Sequence, residues 1–571
     1  MLDKEKIFEK FKLPIEYLDK KHKLTNEIKQ DLELIKPNDN STNSTYNVVF
    51  KTNNDFDNMS FDAWGKYFSS DKSFLKDSQH FYKNINDLHN EPHKIKKMVD
   101  IWNKINNESD FIEKYQYIDW ERLYFLNNSK MFLSILSFYN ITSPILQLIA
   151  PLFVFITPFL LMKSLGTPIT AEIYIKILLE NLKNQPFIKL FISFNSMSLG
   201  QQIYGLLMLG LYIYNIYSNV LSCYKFYTQM KILTAEFEDI RKYLECTIEN
   251  MTFVLNKTNK LNSYQPFNNT LLSYKNRLSQ FLNDIRHIPK SIFNKFNIFY
   301  IGTLMKYYFT LWDSKDIDDI FSYSFGFNCY YNNLIGLNQN IQHNNMNICL
   351  FKKNKSIKLI DTYHPNLTKK VIKNTITLNK NKIITGPNAS GKTTLLKAIT
   401  INIILSQQFG YGFYRKCYIT PYHHLHCYIN IPDTNDRDSL FQSEARRCKT
   451  ILDSILVNKK DNHFCIFDEL YSGTNPYEAI ATAHSYLNYI SNKKNVDFIL
   501  TTHYIKLCEL FDKNKHIDNI HMKTLITNNK PNYFYKIKTG ISKVKGGVHV
   551  LKQLKYPEII TKEASNILKK L

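Results

Sequence analysis

The sequence has no paired cysteines. Nine are scattered over 571 residues without a single C-x-x-C. That excludes a zinc ribbon and a disulfide framework, and it points to a reducing, intracellular compartment. An apolar run behind the start is missing too. Met1-Leu2-Asp3-Lys4-Glu5-Lys6 is charged, so no cleavable signal peptide is expected. Acidic residues are in short supply, 50 against 73 Lys and Arg, for a net charge of +23. The excess favours anionic partners, either nucleic acid or an acidic membrane surface. Lys, Asn, Ile, Tyr and Phe are all plentiful. An A/T-rich coding sequence produces this by codon bias, so no single lysine is informative.

Two stretches lack charge altogether. Residues 131–162 lie between Lys130 and Lys163, and residues 191–224 between Lys189 and Lys225. Their densest windows are 145–162 and 203–221. Each is long enough to cross about 30 Å of hydrocarbon as a helix. A charge at mid-bilayer costs about 3 kcal/mol, and both runs avoid one. They are therefore candidate transmembrane helices, a membrane hairpin with both termini on one side. Lys225, Lys231, Arg241 and Lys242 agree with a cytoplasmic side after the second run. The competing reading is two buried helices of a large α-helical core. Pro144, Pro151 and Pro158 in the first run and Gln201, Gln202 and Asn215 in the second argue for it.

What is present divides the chain into five regions. Residues 1–45 are a polar segment ending in the loop-like Pro37-Asn38-Asp39-Asn40-Ser41-Thr42-Asn43-Ser44-Thr45. Residues 46–130 are patterned as helix, with Phe61, Trp64, Tyr67 and Phe68 spaced for one face. Residues 131–224 hold the apolar pair. Residues 225–350 form a helical core or lever-like region. There Leu233, Phe237, Ile240, Leu244, Ile248, Met251 and Leu255 recur at three- and four-residue steps. The polar stretch 256–269 breaks that helix, and a second pattern runs through Leu271, Leu272, Leu278, Leu282 and Ile285. The two patterns suit an antiparallel arm or plain bundle helices equally well.

Region 351–571 carries the chemistry. Ile383-Ile384-Thr385 reads as a short strand. Gly386, Pro387, Asn388, Ala389, Ser390, Gly391, Lys392, Thr393 and Thr394 follow, and then a helix through Leu395, Leu396, Ile399 and Ile403. The spacing G-x-x-x-x-G-K-T is that of a phosphate-binding loop. Gly386 and Gly391 let the backbone N–H groups turn inward on a polyphosphate, with the helix dipole behind them. Lys392 supplies a point charge for the β- and γ-phosphates. Thr393 offers a hydroxyl to Mg²⁺.

A second apolar strand, Phe464-Cys465-Ile466-Phe467, ends in Asp468 and Glu469. Asp468 is placed to hold the Mg²⁺ shell. Glu469 is placed to orient or deprotonate the attacking water. A third strand, Phe498-Ile499-Leu500-Thr501-Thr502, ends at His503, a candidate γ-phosphate sensor. Together these predict a doubly wound α/β domain with its ligand at the strand ends. His423, His424, His426 and Cys427 are close enough for a metal. Their spacing also fits alternating faces of a strand, and a structural role is expected.

These motifs resemble the MutS family. The loop reads GPNASGKT. Asp468-Glu469-Leu470-Tyr471-Ser472-Gly473-Thr474-Asn475-Pro476 is similar to the family's acidic pair and glycine-threonine turn. Ser439-Leu440-Phe441-Gln442-Ser443-Glu444 is similar to its serine-x-phenylalanine-x-x-glutamate signature. Thr501-Thr502-His503 and the closing Gly540-Ile541-Ser542, Tyr556-Pro557 and Ala564 follow in family order. The resemblance covers roughly 361–571. It implies an α/β P-loop NTPase domain of MutS/ABC-like type, preceded by a mostly α-helical region. It also implies ATP and Mg²⁺ as ligands, ATP hydrolysis, and a homodimer in which Ser439 reaches the partner's γ-phosphate. DNA binding in mismatch repair or recombination is the implied use. The family's N-terminal glycine-x-phenylalanine-x-glutamate wedge is missing, and Arg437-Asp438 stand where those proteins usually have a glycine. The alternative is a membrane-anchored mechanical ATPase of the same type, acting on a non-DNA partner.

Overall fold

A computed structural model describes the chain apart from residues 1, 40–41, 86–90, 150–152, 165, 167–169, 185–197, 293–294, 354, 356, 368–370, 430–439, 528–529, 543, 545–547, 549–550, 553 and 571. It divides into two units. One comprises Met1–Leu2, Glu91–Ile248 and Asn276–Phe321. The other comprises Asp3–Asn90, Glu249–Lys275 and Ser322–Leu571.

The first unit is helical. Pro92 opens the helix Pro92–Asn107, where a missing N–H costs nothing. Its buried residues Ile95, Met98, Ile101, Trp102 and Ile105 keep three- and four-residue spacing. Trp102 stacks on Phe321 at 4.8 Å. Ion pairs from Lys97 to Asp239 (3.0 Å) and from Lys104 to Glu236 (2.6 Å) flank that seam. The helix Lys130–Ile149, with Pro144 inside, packs its first turns on Ile301–Asp313. Gly302 makes this approach feasible, since a Cβ there would lie 2.3 Å from the Lys130 carbonyl oxygen. Phe153–Ser164 and Ala171–Asn184 follow. Pro151 lies outside the described residues.

The second apolar run does not end before a separate amphipathic helix. One helix, Leu199–Thr258, carries both over 60 residues, about 90 Å. Neither run is a core helix. None of the most apolar window of Leu199–Thr258 is buried, and only 22% of that in Lys130–Ile149.

The second unit is built on two sheets. The larger has strands β1 (Asn381–Thr385), β2 (His424–Tyr428), β3 (His463–Asp468), β4 (Val496–Thr502), β5 (Ile517–Thr527) and β6 (Lys530–Thr539) in the order β6-β5-β1-β4-β3-β2. The first five run parallel, and β6 returns antiparallel to β5. The sheet is thus mixed at one edge. All seven residues of β4 are buried, as a strand covered on both faces requires. A second sheet of five strands, in the order Asn374–Thr377, Ile357–Thr362, Lys416–Ile419, Asn347–Phe351 and Tyr411–Gly412, was not foreseen from the sequence.

Residues 3–90 belong to this unit and pack round the helix Lys392–Phe409. Tyr67 and Phe68 do not continue the helix Phe61–Trp64. They lie in the strand Tyr67–Ser69, which pairs antiparallel with Lys21–Lys23. The break falls at Gly65, where a Cβ would lie 2.8 Å from Ile35 Cδ1.

Lys392–Phe409 is buried along almost its whole length, polar residues included. Each buried amide is matched. Gln408 Nε2 donates to the Trp64 and Tyr67 carbonyls at 2.8 and 3.0 Å, and Tyr46 Oη donates to Gln408 Oε1 at 3.2 Å. Gln407 Nε2 donates to the Ser69 and Tyr422 carbonyls. Gln79 Nε2 donates to Gly410, just past the helix end, at 2.8 Å. Such pairing is what allows amides to be buried at all.

Candidate functional site

β1 delivers the loop 386–391 to the start of Lys392–Phe409, and the ends of β3 and β4 stand beside it. Gly391 sits at φ +90°, a left-handed conformation that glycine adopts without strain. A Cβ on Gly386 would lie 2.7 Å from Ser390 Oγ. Ala389 is also left-handed, at φ +61°.

Five of the predicted residues converge here. Thr393 Oγ1 donates to Asp468 Oδ2 at 2.7 Å. His503 Nε2 lies 2.7 Å from Glu469 Oε1 and 3.1 Å from Lys392 Nζ. Lys392 Nζ donates to the Gly386 carbonyl at 3.0 Å. The lysine is therefore folded back over its own loop, where phosphate oxygens would compete with that carbonyl. Burial lowers the Lys392 pKa below its ordinary 10.5, against the opposing pull of Glu469 and Asp468. The hydrogen bond to His503 holds the Glu469 carboxyl below the ordinary range, with the His503 and Lys392 charges adding to it. Glu469 has φ +55°, and Tyr471 two residues on has φ +59°. For non-glycine residues such backbone costs about 1–3 kcal/mol each, and it aims the Glu469 side chain across the strand end.

Ser390 Oγ is buried without a hydrogen-bond partner. A buried, unpaired hydroxyl in this loop is a group that a phosphate oxygen would satisfy. Thr393 and Asp468, side by side, are the oxygen donors a hard divalent cation prefers.

Several residues at the site carried no role in the sequence reading. Thr501 Oγ1 donates to Asp468 Oδ1 and fixes the rotation of that carboxylate. Its letter stood within the matched strand end, but only geometry shows the contact. Glu444, 2% exposed, accepts from Ser472 N, Ser472 Oγ and Gly473 N at 3.0, 3.0 and 3.1 Å. It ties the helix Leu440–Val457 to the turn after the acidic pair. Gly473 permits the approach, because a Cβ there would lie 2.9 Å from Phe441 N. Ser439 lies outside the described residues, as do Arg437 and Asp438.

A cavity of about 700 Å³ opens beside the loop, lined by Ala389, Gly391, Thr394, Tyr363, His364 and Tyr535 among others. Asn374 holds its β6 wall, donating to the Tyr535 carbonyl at 2.9 Å and accepting from Ile537 N at 3.0 Å. Burial and the nearby Lys397 take His364 down to a pKa of about 4, so its ring is neutral at pH 7.

The histidines on β2 turn towards one another and their neighbours. His424 pairs with Asp461 at 3.0 Å, and His426 Nε2 lies 3.1 Å from His463 Nδ1. Burial and His463 take His426 down to about 3. Cys427 Sγ points instead to Asp31, at 3.2 Å.

Residues 382–571 match the family described as MutS domain V. The C-terminal third of the chain is thus similar to domain V of the MutS family. Among curated proteins, the DNA mismatch repair protein MutS of Streptococcus uberis is 28% identical over 205 residues, 35% of this chain and 24% of that protein. That of Persephonella marina is 29% identical over 219 residues, covering 37% and 25%. That of Bacillus subtilis is 26% identical over 224 residues, covering 38% and 26%. The chain thus spans about a quarter of the length of the MutS proteins it matches. The clustered residues 385–394, 468–469 and 501–503 all fall inside or within the matched MutS domain V.

Proposed function

We propose that this chain is a MutS-type ATPase that couples ATP binding and hydrolysis to a DNA partner, as a homodimer. The observation that carries this reading is the convergence of Lys392, Thr393, Asp468, Glu469 and His503 within hydrogen-bond reach at the ends of three parallel strands.

In this reading the loop N–H groups and Ser390 hold the polyphosphate, and Lys392 leaves the Gly386 carbonyl for phosphate oxygens. Thr393 and Asp468 would hold Mg²⁺, which neutralises charge on the β- and γ-phosphates. Thr501 keeps the Asp468 carboxylate turned to that task. Glu469, ionised at neutral pH, orients the attacking water and takes its proton, while His503 holds the carboxylate in place. Ser439 is the group a partner subunit would contribute to the other site.

The DNA reading draws on the names of the relatives and on the net charge of +23. Mismatch repair or recombination is the use this reading points to; the family's wedge motif contributes nothing to it. The test is two-fold. Lys392→Ala should lower ATP hydrolysis by about 100-fold or more; unchanged turnover would refute the site. DNA affinity should fall steeply as salt rises from 50 to 200 mM, as phosphate contacts require; a flat response would remove DNA from the account.

A further inference from the structure

The helical unit carries an apolar surface that none of the described residues covers. In Leu199–Thr258 the change falls at Lys225. Residues 199–224 hold no charge and none among them is buried; a half-buried stripe runs through Leu209, Tyr212, Ile216 and Cys223, and the remaining faces are exposed. Tyr224 is 67% exposed, whereas Phe226 is 4% exposed. From Phe226 onward a stripe through Met230, Leu233, Phe237 and Ile240 is buried at three- and four-residue steps. One helix thus changes from an uncharged, largely exposed surface to ordinary one-sided burial within a single turn. A long helix with mostly apolar residues and no charge on any face belongs in a protein core or in a bilayer. This one is not in a core.

Its dimensions fit hydrocarbon. The 26 residues 199–224 span about 39 Å, against a core about 30 Å thick. Lys225 and Lys231 follow at the end where burial resumes.

The other apolar run lies against this helix. Tyr212 Oη donates to the Gln147 carbonyl at 3.4 Å, and Cys223 approaches the Ile141 carbonyl at 3.5 Å. Later residues of one helix thus meet earlier residues of the other, so the two run antiparallel. In Phe153–Ser164 the side chains of Phe153, Ile156 and Leu160 are 56%, 46% and 57% exposed. Ala171–Asn184 differs. Glu172, Lys176, Glu180 and Lys183 repeat at helical steps along one side of it, which suits a headgroup boundary rather than a span.

We infer that these two runs are a membrane hairpin: a lipid bilayer covers residues 199–224 and, of the other run, residues 141–149 and 153–162, anchoring the protein with both ends of the chain on one side. The inference stands on the helical unit and does not depend on the nucleotide-site reading.

The test is made on the full chain. Expressed in cells, it should sediment with membranes and resist both high-salt and alkaline carbonate washes. Reconstituted into phosphatidylcholine–phosphatidylserine vesicles, it should float, and protease added outside should reach both termini or neither. Leu207→Arg combined with Leu211→Arg should lower the carbonate-resistant fraction about tenfold or more. Lys392→Ala should leave that fraction unchanged. Release by carbonate would overturn the inference. So would a detergent-free, soluble oligomer of defined size, which would mean that a second copy covers these helices. One terminus protected and the other cleaved would overturn the hairpin.

Discussion

Two apolar helices of this chain have opposite surroundings. Lys392–Phe409 is enclosed by protein along nearly its whole length, and its buried amides are each hydrogen-bonded. Residues 199–224 of the long helix are at least as apolar, yet none of them is buried and all but one stripe is exposed. Composition and periodicity do not separate the two. What separates them is the partner that the rest of the chain supplies. The first receives residues 3–90, with Gln79, Trp64 and Tyr46 placed to meet it. The second receives one neighbouring helix of the same character.

The contrast can be broken most sharply with a charge. Ile403→Arg, at a position 0% exposed, should cost about 4–5 kcal/mol and unfold the nucleotide unit. Ile213→Arg, at a position 59% exposed, should change its stability by less than about 0.5 kcal/mol. Thermal denaturation of both variants in detergent would check this. Equal losses would mean that the two helices are buried alike.

A polar truncation gives a smaller difference of the same sign. Gln408→Ala strands the Tyr67 carbonyl, leaves the Trp64 carbonyl only the Tyr46 hydroxyl, and should cost about 2–3 kcal/mol in denaturant unfolding. Gln201→Ala, in the exposed part of the long helix, should cost within about 0.5 kcal/mol.

The smallest effect concerns the charge at the head of the enclosed helix. Burial lowers the Lys392 pKa below 10.5, so the unfolded chain binds this proton more tightly than the folded one. Between the lowered value and 10.5, ligand-free stability should therefore rise with pH. Over the same window nucleotide affinity should fall as the ammonium is lost. Titration of nucleotide binding from neutral pH up to 10.5 tests this, and Lys392→Ala should flatten the profile. An affinity that holds level through pH 10.5 would show that the lysine charge is not used.

The clustering of the candidate site was legible because its signals are local. A loop, two acids and a histidine each sit at the end of an apolar strand, and parallel pairing places those ends together. The clamp on Lys392–Phe409 was not legible, since its hydrogen bonds join residues up to 362 apart in sequence. For the same reason residues 3–90 read as a polar start and loose helices. Tyr67 and Phe68 kept helical spacing, yet Gly65 and the pairing with Lys21–Lys23 make them a strand. Glu444 read as one letter of a signature; its three hydrogen bonds to the Ser472-Gly473 turn need the fold.

The central claim is that Glu469 acts on the attacking water while Lys392 and the loop bind phosphate. The most direct measurement is Glu469→Gln, with nucleotide binding and Mg²⁺-dependent hydrolysis followed on the same full-length preparation. Binding should survive within about threefold while turnover falls about 100-fold or more. Turnover near that of the unmodified protein would contradict the account.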